Sequence, residues 1–356
     1  MRDGSTAPPP DPVAVARFLE GLNRPLTGFA SGAAGGRFGV AVSGGPDSLA
    51  LLLLAHAARP GTIEAATVDH GLRPEAAAEA EMVADACARL GVPHAILRGP
   101  WDGPTSAGLQ AAARAHRYRL LERWCDTRDL GVLLTAHHAD DQAETLLMRL
   151  SRGAGVGGLG GIRPARPLTA PDRPPARDGG DPRPVLLVRP LLGFAKAELV
   201  AVVADAGLAA VHDPSNDSDR FDRTRARRLL AATPWLRPGR IAASARHLAE
   251  AEAALAWTAD REYARRVEER DDGGATTWLL DPEGLPEEIL RRLVLVVWRK
   301  AEGHAAIDRD GIEPRGAKLA RFTASLRAGE RAMLGRVLAR PGPRWRFAAA
   351  PPRRNP

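Results

Sequence analysis

The strongest constraint on the fold is a regular alternation of apolar runs and helical periodicity between Arg37 and Asp205. Short apolar runs bounded by turn residues are typical of buried strands, and the segments between them repeat apolar residues at helical spacing. Such alternation predicts an α/β fold, a doubly wound parallel sheet with helices on both faces. The predicted strands are Arg37–Val42, Thr62–Val68, His94–Leu97, Val132–Ala136 and Val185–Val188. The predicted helices are Asp47–Ala58, Glu75–Leu90, Ser106–Thr127, Asp140–Ser151 and Ala195–Asp205.

Three other segments complete the predicted organisation. Residues 1–36 form a lead with a short helix, Pro12–Leu22, and residues 37–220 form the α/β domain. The segment 163–184 contains seven prolines, so we expect an exposed, mobile insertion without regular structure. Residues 221–356 are predicted to form a smaller, mainly helical domain. Its predicted elements are the helices Phe221–Leu230, Ile241–Glu269, Glu287–Ala301 and Lys318–Leu326 and the strands Met333–Leu338 and Arg344–Phe347.

Composition and charge narrow the functional classes. A chain with 44% hydrophobic and 26% charged residues is typical of a globular protein. We see neither a membrane-spanning run nor an export signal, and the two cysteines cannot form a disulfide framework, so a cytoplasmic location is expected. Residues 1–219 carry 22 basic and 25 acidic side chains, whereas residues 220–356 carry 28 and 18. This asymmetry indicates that the second part binds a polyanion.

A glycine turn follows the first predicted strand and opens the next helix. Glycines there allow positive φ angles and the close approach of a phosphate, and the helix N-terminus adds partial positive charge. The acidic Asp47 is unexpected beside an anion unless it holds a cation such as Mg²⁺. Neither a Walker motif nor a dinucleotide-binding motif is present. The residues of this loop are Ser43, Gly44, Gly45, Pro46, Asp47 and Ser48.

Two further groups are predicted near this loop. Asp69 and His70 end the second strand, which places them on the same sheet edge, although a solvated turn is the plainer interpretation. Arg114 and Arg117 are three residues apart on one helix face. Paired guanidinium groups suit a phosphate, and an ordinary charged surface face is the alternative.

Acidic residues open the helix that follows the fourth strand. Asp141 and Glu144 share one helix face and are suited to hold Mg²⁺ or an ammonium group, although acids in a first turn also serve as simple caps. The adjacent His137 and His138 suggest a zinc site only weakly, because no distant histidine has ligand spacing.

A basic segment opens the second domain. Arg223 and Arg227 lie one helical turn apart, with Arg225 offset between them. This arrangement suits a phosphodiester backbone, and a solvated basic face is the alternative.

Together these blocks resemble a known family. The glycine loop is similar to that of the PP-loop ATP pyrophosphatases, whose domain is adenine nucleotide alpha hydrolase-like. The ordered set of blocks resembles the tRNA(Ile)-lysidine synthases. The blocks are Ser43–Ser48, Val68–Arg73, Ala113–Tyr118, Thr135–Thr145, Arg152–Gly155, Arg189–Leu192 and His212–Arg227.

The resemblance implies a reaction and a set of roles. Members adenylate the C2 oxygen of the wobble cytidine of a tRNA(Ile) with a CAU anticodon, with release of pyrophosphate, and L-lysine then attacks C2 and displaces AMP to give lysidine. ATP would be bound by the Ser43–Ser48 loop with Asp69 and His70, and Asp47 would hold Mg²⁺. Asp141 and Glu144 would bind the lysine ammonium. Arg114 or Arg117 would steady the α phosphate or the substrate, and the tRNA-binding residues would be Arg223, Arg225 and Arg227. His70 and His138 are both candidates to deprotonate the amine, and no obligate protein partner is evident.

Two alternatives remain from the sequence alone. One is another PP-loop enzyme acting on tRNA. A thiolase would need cysteines to carry sulfur, and Cys87 and Cys125 do not form a Cys-x-x-Cys pair, while an amidotransferase-type synthetase would need a glutaminase, which we do not see. The other is a non-catalytic nucleotide- or RNA-binding relative, which the retained acidic and arginine residues argue against.

Overall fold

The computed structural model describes residues 8–27, 36–69, 71, 75–101, 103, 109–168, 184–211, 222–271, 276–303 and 316–350. The chain divides into two compact units, residues 1–249 and 250–356. Among the described helices, none combines the length and apolar character needed to cross a lipid bilayer.

The first unit is built around one six-stranded sheet. Its strands are β1 (Phe38–Ala41), β2 (Ile63–Asp69), β3 (His94–Arg98), β4 (Val132–Leu134), β5 (Ala165–Leu168) and β6 (Val185–Val188). The strand order is β3-β2-β1-β4-β6-β5, and every neighbouring pair is parallel except β5 with β6. The predicted α/β fold is confirmed, and the parallel strands end at one edge of the sheet.

The helices of this unit cover the sheet and bury its apolar side chains. They are α1 (Pro12–Leu26), α2 (Pro46–Ala58), α3 (Glu75–Leu90), α4 (Leu109–Arg128), α5 (Ala139–Leu150), α6 (Val156–Leu159), α7 (Lys196–Asp205) and α8 (Asp222–Ala232). Helix α2 is apolar on all sides because the run Leu49–Ala55 is buried throughout, between the sheet and its neighbours. Helix α1 extends to Leu26, beyond its predicted end, because Phe18, Leu22 and Leu26 all join that core.

The proline-rich insertion contains one regular element that the sequence did not predict. Residues 165–168 form β5, which pairs antiparallel with β6. Pro167 is tolerated there because β5 is an edge strand, so its missing N–H removes no bond from the sheet interior. The expectation of an irregular insertion is therefore wrong for these residues, and residues 169–183 lie outside the described part of the chain.

The second unit combines helices with an antiparallel sheet. Helix α9 (Pro238–Arg266) runs into it from the first unit, and α10 (Glu287–Ala301) and α11 (Gly316–Arg327) follow. The strands are β7 (Val267–Asp271), β8 (Thr276–Leu280), β9 (Ala332–Leu334), β10 (Val337–Arg340) and β11 (Trp345–Ala349), in the order β7-β8-β11-β10-β9. One face of α10, with Leu293 and Val297, packs with Phe322 and Phe347 in a separate core.

Two predicted elements of this unit are wrong in detail. The predicted helix Ile241–Glu269 ends at Arg266, because the next residues pair with β8 as strand β7. The predicted strand Met333–Leu338 is two strands, since Gly335 adopts a φ of 59° in the turn between β9 and β10. Residues 221–356 nevertheless contain the predicted helices.

Candidate functional site

Several candidate site residues, most of them predicted from the sequence, follow strands whose carboxyl ends share one edge of the first unit. The phosphate loop, Ser43–Ser48, follows β1, Asp69 ends β2, His137 and His138 follow β4, and Arg189 follows β6. In open α/β sheets, ligands bind beyond this edge. The order β2-β1-β4-β6 places these residues side by side.

The phosphate loop is held by its own serines. The Ser48 hydroxyl donates to the Gly45 carbonyl at 2.9 Å and accepts from the Ser43 backbone N–H at 3.1 Å. Gly44 has a φ of 86°, which favours glycine, whereas Gly45 has a φ of −74° and precedes Pro46 as the N-cap of α2. A positive φ was expected to be accessible to both glycines, and only Gly44 uses it.

Asp47 lies in the first turn of α2 with one carboxylate oxygen committed and the other free. Its Oδ2 is 3.4 Å from Nε2 of His138. Its Oδ1 is buried and has no hydrogen-bond partner among the described residues. A buried carboxylate oxygen without a partner is costly, and a cation would offset that cost. Asp47 therefore fits the predicted Mg²⁺, which commonly takes one or two carboxylates and completes its shell with phosphate and water.

Four carboxylates form what we call the acidic cluster: Asp47, Asp140, Asp141 and Glu144. His138 lies among them, with Nδ1 3.5 Å from Asp140 and Nε2 3.6 Å from Asp141. Burial lowers the pKa of His138, but the nearby carboxylates outweigh burial and raise that pKa to about 10. At neutral pH, His138 is therefore a cation within the acidic cluster.

Two arginines of α8 bind the same carboxylates. Arg223 donates to Glu144 at 2.6 Å and to Asp141 at 2.5 Å, and Arg227 donates to Glu144 at 2.9 Å. Glu144 is 3% exposed, so its carboxylate is shielded from water, whereas the side chains of Arg223 and Arg227 are each 42% exposed. The structure thus joins the residues predicted for lysine with two of those predicted for tRNA. Arg225, by contrast, is exposed.

A second group, the arginine cluster, comprises Arg114, Arg117, Arg166 and Arg189 around the ring of Tyr118. The guanidinium carbons of Arg114, Arg117 and Arg166 lie 5.1, 5.5 and 5.4 Å from the ring centroid. Arg114 also donates to the Tyr118 hydroxyl at 3.2 Å. Burial raises the pKa of Tyr118, but the charges of the four arginines outweigh burial and lower that pKa.

His137 lies in the field of the arginine cluster. Its Nδ1 is 3.2 Å from the Thr135 hydroxyl. Burial and the charges of Arg189, Arg114, Arg223 and Arg117 lower the pKa of His137 to about 2. The imidazole is therefore neutral at physiological pH. Among the described residues, no group of three or more histidine, cysteine or acidic side chains could hold a metal.

Asp69 is held within the protein at the end of β2. Its carboxylate accepts from Arg98 at 2.9 Å and from the Gly71 backbone N–H at 2.9 Å. These bonds fix the strand end, so a direct contact with ATP stays a prediction. His70 lies outside the described residues.

Sequence reasoning assigned no site role to three members of the arginine cluster, Tyr118, Arg166 and Arg189, although Tyr118 and Arg189 lie in blocks that resemble the family. Arg189 carried a usable signal, because it directly follows the buried strand β6 at the ligand-binding edge. Arg166 carried none, since the strand that presents it was not predicted.

Comparisons with known proteins identify the family of the chain. The family model of the PP-loop domain matches residues 19–233. A tRNA(Ile)-lysidine synthase of Zymomonas mobilis is 45% identical over 94% of each chain. That of Novosphingobium aromaticivorans is 46% identical over 90% of this chain and 91% of its own. A third, from Methylobacterium sp. (strain 4-46), is 44% identical over 93% of this chain and 87% of its own.

Proposed function

Because the chain belongs to the tRNA(Ile)-lysidine synthase family, we propose that it joins L-lysine to the wobble cytidine of tRNA(Ile) with a CAU anticodon. In the first step, the C2 oxygen of the cytidine attacks the α phosphorus of ATP and pyrophosphate leaves. In the second, the lysine ε-amine attacks C2, and AMP leaves with the oxygen. We also propose that the reaction takes place in the cytoplasm and requires no protein partner.

ATP is assigned to the phosphate loop. Within the loop, Pro46 has no N–H, and the N–H groups of Ser43 and Ser48 donate to Ser48 and Gly45. The N–H groups of Gly44, Gly45 and Asp47 at the N-terminus of α2 are therefore the ones suited to phosphate oxygens. Asp47 would hold Mg²⁺ through Oδ1, and the bound ion would neutralise charge that develops on the departing pyrophosphate.

The lysine ammonium is assigned to Asp141 and Glu144. In the present arrangement each oxygen of these two carboxylates already accepts a bond, from Arg223, Arg227 or the backbone N–H of His138. Lysine would therefore replace at least one guanidinium bond when it enters. This exchange leaves the net charge around the carboxylates nearly unchanged, because one cation takes the place of another.

The raised pKa of His138 bears on the proton transfers. A group with a pKa of about 10 already holds its proton at neutral pH and does not accept another. Of the two candidate bases, His138 is thereby disfavoured. We assign it instead to holding the carboxylates of Asp47 and Asp141 in place.

Binding of tRNA is assigned to Arg225 and to the basic chain beyond it. Arg225 is exposed and makes no ion pair with a described carboxylate, whereas Arg223 and Arg227 are held by Glu144. An exposed guanidinium on this helix is suited to a phosphodiester.

The observation that carries the proposal is the joint presence of the phosphate loop with its uncommitted Asp47 oxygen and the carboxylate pair Asp141–Glu144 on one sheet edge. The test is incubation of the purified protein with ATP, radiolabelled lysine and unmodified tRNA(Ile). We expect label to enter the RNA, with one AMP formed for each lysine. Release of AMP without labelled RNA would contradict the proposal.

A further inference from the structure

We propose that Arg189 and Arg166, which have no role in the expectations from sequence, extend the phosphate site expected at Arg114 and Arg117. With them, the arginine cluster binds a phosphoryl group of a substrate, and Arg189 is a positioning residue for it. The group is either a phosphate of the nucleotide or a phosphodiester of the tRNA. The inference rests on the proposed function only for the choice between these two sources.

The first argument is the density of positive charge. Three guanidinium groups lie within 5.5 Å of the centroid of one tyrosine ring. Neither Arg114 nor Arg117 forms an ion pair with a carboxylate among the described residues. Like charges at this spacing repel, and an anion between them would turn that repulsion into attraction.

The second argument is the state of Arg189. Its side chain is 5% exposed, and Nη1 donates to the Arg163 carbonyl at 2.7 Å. Its Nε is buried and has no hydrogen-bond partner in the described part of the chain. Buried arginines are normally paired with an acid, so a buried guanidinium with an unused donor indicates a partner that arrives with a ligand.

The third argument is position. Strands β1, β4 and β6 are consecutive neighbours in the sheet. At about 4.8 Å between strands, the residue after β6 lies roughly 10 Å from the phosphate loop after β1. A nucleotide phosphate or the backbone of a bound cytidine could reach across this distance.

The chemistry of the cluster favours phosphoryl oxygens. Guanidinium groups present parallel N–H donors that match phosphate, and several converge here on one small volume. The Tyr118 hydroxyl accepts from Arg114, and its own O–H could donate to a phosphoryl oxygen beside them. A single carboxylate, such as that of lysine, would offset only part of this charge.

Equilibrium binding tests the proposal with two probes, α,β-methylene ATP and unmodified tRNA(Ile). The variants are Arg189→Gln and Arg166→Gln, and the control is Arg123→Gln, which removes the same charge from the exposed face of the same helix as Tyr118. We expect each cluster variant to lose about tenfold in affinity for one probe relative to the control. Loss for the methylene analogue identifies the nucleotide, and loss for tRNA identifies the phosphodiester.

Affinities for both probes within twofold of the Arg123→Gln protein would overturn the proposal, as would an effect confined to the KM for lysine. If Arg189→Gln does not fold, Arg189→Lys and Arg166→Gln replace it in the binding measurements. Arg189→Lys keeps the positive charge and should retain part of the affinity.

Tyr118 offers a readout that needs no turnover. The chain has two tyrosines, so in a Tyr263→Phe background the ultraviolet absorbance of tyrosinate reports Tyr118 alone. Inorganic pyrophosphate or tRNA bound among the arginines should raise the pKa of Tyr118, because it screens the charges that lower it. The shift should persist in Arg123→Gln and vanish in Arg189→Gln.

The absence of a shift with either anion would contradict the site. The titration measures the pKa of Tyr118 and does not depend on lysine transfer. If no anion shifts that pKa but lysidine is still formed, the phosphoryl site is contradicted and the proposed function stands. If an anion shifts the pKa of Tyr118 but the protein forms no lysidine, the proposed function is contradicted and the phosphoryl site stands.

Discussion

The two histidines after β4 show how sharply the electrostatic field changes across this sheet edge. His137 and His138 are consecutive and both are largely buried, yet their pKa values are about 2 and about 10. Burial lowers both pKa values, so the difference comes from the neighbours: arginines around His137 and carboxylates around His138. One peptide unit thus separates a site suited to anions from a site suited to cations.

This separation matches the charges of the proposed reactants. The lysine amine arrives as a cation, whereas ATP and RNA bring phosphates. The acidic cluster would hold the cationic lysine and the arginine cluster would hold a phosphate, without the two clusters neutralising each other. The cytidine would react between them. Each prediction below changes one region and asks whether the other responds.

The largest effect is expected from Asp47→Asn, which replaces the carboxylate proposed to hold Mg²⁺ by a neutral amide. We expect tRNA-dependent exchange of pyrophosphate into ATP to fall about 10³-fold, because charge on the α and β phosphates loses its counterion. Affinity for tRNA should not change. The exposed Asp205→Asn is the matched control, and normal exchange in Asp47→Asn would refute the metal role.

Glu144→Gln tests the acidic cluster as the lysine site. We expect the KM for lysine to rise about 10²-fold, since a buried carboxylate that pairs with cations is replaced by a neutral amide. Pyrophosphate exchange should be largely kept. The control is the exposed Glu81→Gln. An unchanged lysine KM would place the amine elsewhere.

Arg225→Gln tests the division of labour on α8. We expect affinity for tRNA to fall about threefold to tenfold and the salt dependence of binding to decrease by about one ion, with no change in lysine KM. Arg223→Gln should instead alter lysine KM, because Arg223 bonds to Asp141 and Glu144. Equal changes in tRNA affinity and in lysine KM for the two variants would contradict the separate roles of Arg225 and Arg223.

The smallest effect concerns the pH dependence of stability. The folded pKa of His138 is raised from 6.5 to about 10, so its contribution is complete below pH 6.5 and is lost as the pH rises towards 10. The folded pKa of His137 is lowered to about 2, so stability is lost as the pH falls from 6.5 towards 2.

Replacement by glutamine should therefore flatten opposite limbs of the stability profile, the alkaline limb in His138→Gln and the acid limb in His137→Gln. Each slope should change by up to about 1.4 kcal/mol per pH unit. Urea midpoints across the pH range measure both limbs. A change on the same limb in both variants would contradict the opposite surroundings of the two residues.

The sequence predicted those parts of the molecule that depend on local pattern. The alternation of apolar runs was sufficient for the parallel sheet, and glycine and acidic motifs after the strands located Asp47, Asp141 and Glu144. Strand β5 was missed because edge pairing tolerated Pro167 where composition argued against a strand.

The sequence pattern could not predict which residues contact the site residues, because those partners come from segments far apart in the chain. Arg223 and Glu144 are 79 positions apart, and no periodicity within either helix indicates that they meet. Likewise, Arg166 joins Tyr118 only because β5 pairs with β6. Helical spacing identified the residues that share a face, but tertiary packing determined which faces meet.

A crystal structure with α,β-methylene ATP and lysine tests the central claim most directly. The account predicts the phosphate tail against the amides of Ser43–Ser48 and the lysine ammonium within hydrogen-bond distance of Asp141 or Glu144, in place of a guanidinium of α8. A nucleotide bound in another crevice, with no phosphate at that loop, would contradict it.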